Sequence, residues 1–310
     1  MTPRTAVAAR PARVRKPLGE ETLALLLLLP AALIFGAVML YPMLTTIYNS
    51  LFVNSLTEPY LGTPFVGLKH YQDMLHDARF LNALKNTLTY GLITVAGSFL
   101  IGVPMALVAH AESRLRWLAR VAMLLPWAMP PVISALIFQW LFNGQYGVMN
   151  DLLVRLHLTQ NPVAFLTNPL LAGMVLVITV VWKTSSFVAL IALGGLQGIP
   201  QELTEAAEVD GANRIQSFWR VTLPLLGPAL AVAFIFRVIS AIQVFDIPYA
   251  LTGGGPVVGQ YGATETLGIY IYRTTLEFLD FGYGAALSVA LFAVSLAITA
   301  LYVRFVRGGE

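Results

Sequence analysis

Apolar residues gather in this chain into long, nearly unbroken runs, at about Leu23–Leu40, Leu84–Ala109, Leu118–Phe142, Leu170–Leu196, Leu223–Ile247 and Tyr283–Val306. Each is long enough for the roughly 20 residues that cross a bilayer as a helix. The pattern predicts an all-α polytopic membrane protein with six transmembrane helices. Pro104, Pro126, Pro130 and Pro131 fall inside these runs. They predict kinks whose freed carbonyls need partners within the bundle.

Polar positions are confined to the ends and the links. Residues 1–17 carry Arg4, Arg10, Arg13, Arg15 and Lys16 among three prolines and read as a basic, disordered tail. A signal peptide also starts basic, but its apolar region is usually about 7–15 residues. The run that follows here is longer and reads as a retained first span. Six spans place both termini on one side. With the N-terminus inside, the inner segments hold twelve of the nineteen Lys and Arg, including Arg114, Arg116, Arg120, Arg214, Arg220, Arg304 and Arg307. The outer loops, about 51–83, 143–169 and 248–282, hold four: Lys69, Arg79, Arg155 and Arg273. That asymmetry predicts cytoplasmic N- and C-termini. It also assigns the basic balance to membrane topology rather than to nucleic acid.

Composition agrees. Hydrophobic residues make up 57% and charged residues 11% of the 310, against about 25% charged in a soluble domain. There is no cysteine, hence no disulfide framework and no thiolate metal site. No G-x-x-x-x-G-K-[ST] phosphate cradle, H-E-x-x-H pair or G-x-S-x-G elbow occurs, and His70, His76, His110 and His157 are scattered. No residue is nominated as catalytic and none as a metal ligand.

One polar interruption stands out: PQELTEAAEVDGANRIQSFWRVTLP, Pro200–Pro224. Pro200 suits the first turn of a helix, and Glu202 and Glu205 favour its positive end. Leu203, Ala206 and Ala207 give a small, shallow apolar face. Gly211 predicts a left-handed stop. A second short helix, about Asn213–Arg220, follows. On physics alone this is equally a connector on the membrane surface and a knob meant for a socket on another protein.

The residues Glu205-Ala206-Ala207, Gly211 after three more, Val221 after nine more, then Leu223-Pro224 resemble the EAA loop of ABC importer permeases, E-A-A-x3-G-x9-I-x-L-P. Val221 for isoleucine is the one departure. Asp210, Ala212, Phe218 and Pro228 match the sugar-importer version. LTGGGP at Leu251–Pro256, then Thr264 or Thr266 and YIY at Tyr270–Tyr272, resembles the last outer loop of sugar permeases. The resemblance implies a permease domain over 18–310 with a cytoplasmic coupling loop at about 198–224, in a multi-pass protein of the cell membrane. It implies disaccharide import of the maltose or trehalose type. The partners it implies are a second permease, two ATPase subunits, an external solute-binding protein and a sugar. No cofactor belongs to this chain; ATP and Mg would sit on the ATPase subunits. Glu205, Ala206, Ala207, Asp210, Gly211, Leu223 and Pro224 would couple to them.

The solute path is sought among polar residues within spans. Lys183 and Arg237 lie roughly 20 Å deep. Intramembrane charges are costly and face a cavity or a partner. Thr179, Trp182, Lys183 and Ser186 share one face at i, i+3, i+4 and i+7. Arg237, Ser240, Gln243 and Asp246 form a polar spiral in the next span. Trp140 and Asn143 close the third. The other reading is polar glue between helices, or an interfacial aromatic belt for Trp140. Arg237 and Asp246 are nine residues apart, about 13 Å along a straight helix, too far for a direct pair. The competing function is an ion-coupled secondary transporter. It would need a carboxylate well inside a span, whereas Asp246 is near an end.

Overall fold

The computed structural model describes residues 19–111 and 116–307. The tail expected over 1–17, and Arg114, lie outside them. The chain divides into a unit ending at Tyr48 and a second beginning at Asn49. The first holds α1 (Glu20–Phe35), which widens into a π-type turn over Gly36–Leu40 and runs on as α2 (Tyr41–Asn49). Pro42 has no N–H to give the carbonyl four residues back, and the helix widens there rather than ending. The first span therefore reaches Asn49, 27 residues from Leu23, and not Leu40.

The second unit contains α3 (Lys69–His76), α4 (Ala78–His110), α5 (Arg116–Ala128), α6 (Pro131–Leu141), α7 (Val148–Arg155), α8 (Pro169–Gln197), α9 (Gln201–Val209), α10 (Arg214–Ser217), α11 (Leu223–Ile242), α12 (Asp246–Thr252), α13 (Leu267–Tyr272) and α14 (Phe281–Arg307). Its scaffold is the pair α4 and α8. The two run parallel: a Cβ on Gly97 would stand 2.8 Å from Val181, and one on Gly102 2.6 Å from the Ser185 carbonyl. Glycine at 102 is needed because the backbones approach that closely, the usual way helices pack where lipid removes the hydrophobic drive between them. Ala106, Ala109, Ala189, Ala192 and Leu226 continue the contact with α11.

The expected third span is not one helix. α5 and α6 meet at 100°. Pro130 and Pro131 each remove a hydrogen bond, and each pushes its predecessor out of the helical region; Pro130 itself sits at φ −57, ψ 140. The two halves still make one crossing. Met123 of α5 packs with Ala192 and Leu196 near one end of α8, while Phe138 of α6 packs with Val175 and Leu176 near the other. Parallel α4 and α8 require such a return between them. Among the described residues there are five spans, or six with this bent pair counted as one.

The fifth span also ends earlier than expected, at Ile242 rather than Ile247. Phe245, at φ −133 and ψ −54, leaves the helical path, and Asp246 opens α12 on a new axis. The 248–282 segment, expected as a loop, is ordered. It contains most of α12, a two-residue antiparallel ladder pairing Val257 with Gly262 and Val258 with Tyr261, and α13. Ile247 and Leu251 are buried with Phe138 and Leu176; Leu267 and Tyr270 are buried with Phe80 and Leu287.

Candidate functional site

A cavity of about 380 Å³ lies among α4, α8, α11 and the start of α12. That falls within the range of small-molecule pockets, roughly 300–1,000 Å³. Of the residues expected on the solute path it brings together Lys183, Arg237, Ser240, Gln243 and Asp246. Tyr90, Phe187, Phe236 and Phe245 supply aromatic walls.

Lys183 faces two ways. It lines the cavity, and its Nζ donates to the carbonyls of Pro126 (3.2 Å) and Met129. The Pro126 carbonyl would have accepted from residue 130, which is proline and has no N–H. The kink's freed carbonyls thus have their partner, and a cation sits at the C-terminal end of α5, where the helix dipole favours it. Lys183→Met should lower the stability of the purified protein by about 1–3 kcal/mol, the cost of leaving such acceptors unpaired. Lys183→Arg should recover most of it. Thermal melting checks this; an unchanged transition in Lys183→Met would mean that cavity water serves those carbonyls equally well.

Arg237 is only 4% exposed. Its Nε donates to Ser98 Oγ at 3.2 Å, while its Nη2 is buried and has no hydrogen-bond partner. Ser98 hydrogen-bonds the carbonyls of Thr94 and Val95, so its oxygen is the acceptor for Arg237. Among the described residues no carboxylate is paired with Arg237. Asp246, expected to keep apart from it, opens α12 after α11 has ended and is exposed. Ser240 is exposed and bonds back to the Phe236 carbonyl at 2.8 Å.

Five expected path residues lie outside the cavity wall. Thr179 is fully buried, its hydroxyl bonded to the Val175 carbonyl at 2.7 Å. Ser186 is fully buried with no partner for its hydroxyl. The Trp182 ring packs on Phe138, centroids 5.3 Å apart. Asn143 accepts from the N–H groups of Gln145 and Tyr146 in a turn, and Trp140 is exposed. The wall-forming stripe of α8 is instead Leu176, Val180, Lys183, Thr184 and Phe187. It shares only Lys183 with the expected face.

The cavity is bounded at one end by a polar clasp that sequence reasoning missed. Glu265 is 1% exposed and accepts from Arg79 (Nη2 at 2.7 Å) and Arg273 (Nη1 at 3.0 Å). Asn86 donates to the carbonyls of Gly262 and Glu265, and Tyr90 to that of Ala263 at 2.9 Å. Thr87 accepts from the Leu267 N–H at 2.8 Å. One face of α4 therefore holds segment 262–267, and Tyr90 belongs to both the clasp and the cavity. Beside it, Asp77 accepts from the hydroxyls of Tyr270 and Tyr283. Burial alone would raise the Asp77 carboxyl; these bonds and the Arg79 and Phe80 N–H groups outweigh it and hold it below its ordinary value.

At the C-terminal end of α8, the stretch singled out for coupling folds as α9 and α10. Pro200 is the N-cap of α9, and Gly211 turns the chain at φ +81. Asn213 and Gln216 form a reciprocal cap on α10, and a π-type turn over Phe218–Thr222 joins it to α11. No residue of α9 is buried; Glu205, Ala206, Asp210 and Gly211 are exposed and Ala207 is half-buried. Leu223 and Pro224 begin α11.

Comparison with known proteins gives concordant matches. Residues 98–308 match the family described as binding-protein-dependent transport system inner membrane component. The sulfoquinovosyl glycerol transport system permease protein SmoG of Agrobacterium fabrum is 45% identical over 290 residues, 94% of this chain and 92% of that protein. The trehalose/maltose transport system permease protein MalF of Thermococcus litoralis is 36% identical over 288 residues, covering 93% and 95%. A chain of a bacterial ABC transporter that imports the acidic polysaccharide alginate superposes with a TM-score of 0.80 at 25% identity, covering 93% of this chain and 96% of that one.

Proposed function

This chain belongs to the family of binding-protein-dependent transport system inner membrane components, and from that we infer that it is one permease subunit of an ATP-driven sugar importer. It is a multi-pass protein of the cytoplasmic membrane and a transport subunit, not an enzyme. It is an ABC-type permease rather than an ion-coupled transporter, and ATP hydrolysis belongs to separate subunits. Its family works with a partner permease, an ATPase and a solute-binding protein.

Two ATPase subunits engage α9 and α10 from the cytoplasm, and their ATP and Mg drive the cycle. The Lys and Arg distribution supports both termini on that side. The 248–282 end of the bundle then faces outward, toward the binding protein. The solute passes along the cavity between α4, α8 and α11. The observation that carries this reading is α9: a helix with no buried residue, at the end of the scaffold helix that lines the cavity. Its order and its exposure make sense as one half of a contact.

Co-purification from the native membrane tests it. A second permease and an ATPase should come with the chain, and a sugar delivered by the external protein should raise ATP hydrolysis. Recovery of the chain alone, or stimulation by an amino acid and by no sugar, would overturn the reading.

A further inference from the structure

We propose that the solute is a sugar carrying a fixed negative charge, a carboxylate or sulfonate, and that the Arg237 guanidinium holds that charge. The proposal rests on the sugar-permease reading above and narrows it.

A buried cation needs an opposite charge or full hydrogen bonding. Arg237 is 4% exposed, five residues before the end of α11, and has neither from its own chain: Ser98 serves its Nε, Nη2 has no partner, and no described carboxylate pairs with it. Three charged residues line the cavity: Lys183, Arg237 and Asp246. Lys183 is engaged by the Pro126 and Met129 carbonyls. Asp246 is exposed, nine residues further along and on another helix. The unmet charge of the wall is therefore positive and belongs to Arg237. A guanidinium is always charged and carries a fork of N–H donors suited to an anionic group, and Arg237 lines the cavity. The remaining wall says what that group is attached to. Tyr90, Phe187, Phe236 and Phe245 put aromatic side chains on the wall, which suits the CH groups of a sugar and not a bare inorganic anion.

The test uses the complete importer in proteoliposomes: this permease, its partner, the ATPase and the external protein. Three radiolabelled probes are compared: methyl glucoside, methyl glucuronoside and methyl 6-deoxy-6-sulfoglucoside. The external protein is common to every preparation, so its own preference cancels when variants are compared with the unaltered complex. Ratios between probes within one preparation do not depend on how much complex assembles. The unaltered importer should take up at least one anionic probe in preference to the neutral one. R237Q should cut the anionic-to-neutral ratio about tenfold or more, the loss of one charge-assisted bond. R237K, which keeps the charge but not the fork, should fall between the two and covers the case in which R237Q does not assemble. Equal loss of all three probes in both variants would make Arg237 an interhelical or inter-subunit strut and overturn the proposal. Preference of the unaltered importer for methyl glucoside would overturn it while leaving the sugar reading intact. Uptake of no sugar by an importer whose hydrolysis its binding protein still stimulates would overturn both.

Discussion

Glu265→Gln is expected to destabilise the 248–282 end of the bundle by about 3 kcal/mol, the lower end of the range for breaking a buried ion pair. The glutamate side chain is 1% exposed and meets two guanidiniums, so its loss leaves two positive charges facing each other. The lower end applies because Arg79 and Arg273 keep 24% and 27% of their side chains exposed, and water takes up part of the uncompensated charge. Arg273 also keeps its bond to the Gly253 carbonyl at 2.7 Å. The effect is local first. Amide exchange should rise at Ala263–Leu267, whose carbonyls and N–H groups are held by Asn86, Thr87 and Tyr90 of α4. Tyr90 carries the disturbance into the cavity wall, so solute uptake should fall with the loss of protection. Asp246→Asn is the control for amide exchange, an exposed carboxylate of the cavity wall with no ion-pair partner among the described residues. Unchanged exchange in Glu265→Gln would mean that the backbone bonds from α4 suffice and the ion pairs contribute little.

The clasp also shows where sequence reading stopped. Glu265 lies 186 residues from Arg79, and nothing in its neighbourhood marks it as buried. An acid in a segment between spans reads as solvated. The spans were legible because run length alone decides them. Their irregularities were legible only in part. Pro130 and Pro131 announce a break, since each lacks an N–H, but they do not say which way the chain goes next; packing of Phe138 against Val175 and Leu176 decides that. Half-buried Lys183 and buried Arg237 were recognisable from cost alone. Their neighbours were not. Thr179 looked like a path residue because it is polar and one turn from Lys183. A helical threonine can give its proton to the carbonyl four residues back, as Thr179 does to Val175, and then needs no cavity. Trp182 shares the expected path face with Lys183, and the Phe138 ring meets it instead. The rings that do line the cavity come from three helices and the link after α11, and no single periodicity could have assembled them.

Gly211→Val is expected to abolish most solute uptake, by a factor of about ten or more, while leaving the protein in the membrane. The backbone at Gly211 has φ +81, where a β-carbon costs roughly 1–2 kcal/mol and a branched one more. The cost is conformational only, because an added Cβ would meet nothing within 4 Å. Such a strain is too small to unfold the spans, which the change does not touch. It is large enough to redirect α9. That helix buries no residue, and its Leu203 and Val209 are 43% and 88% exposed, so its own chain offers it little to lean on. Its direction is set by the turn after it. There Gly211 N–H bonds the Glu208 carbonyl at 3.0 Å and Ala212 N–H bonds that of Ala207 at 2.9 Å, and the Asn213–Gln216 cap starts α10. If α9 is the joint to the ATPase, re-aiming it uncouples hydrolysis from movement even though every contact residue is still present. Gly211→Asn separates the two contributions, since asparagine tolerates the left-handed region and should keep most of the uptake. Glu205→Ala removes one charge-assisted contact without bending anything and should fall between them. Uptake and solute-stimulated ATP hydrolysis, measured side by side in the reconstituted complex, decide the matter. Normal values for both in Gly211→Val would reduce α9 and α10 to a connector between two spans.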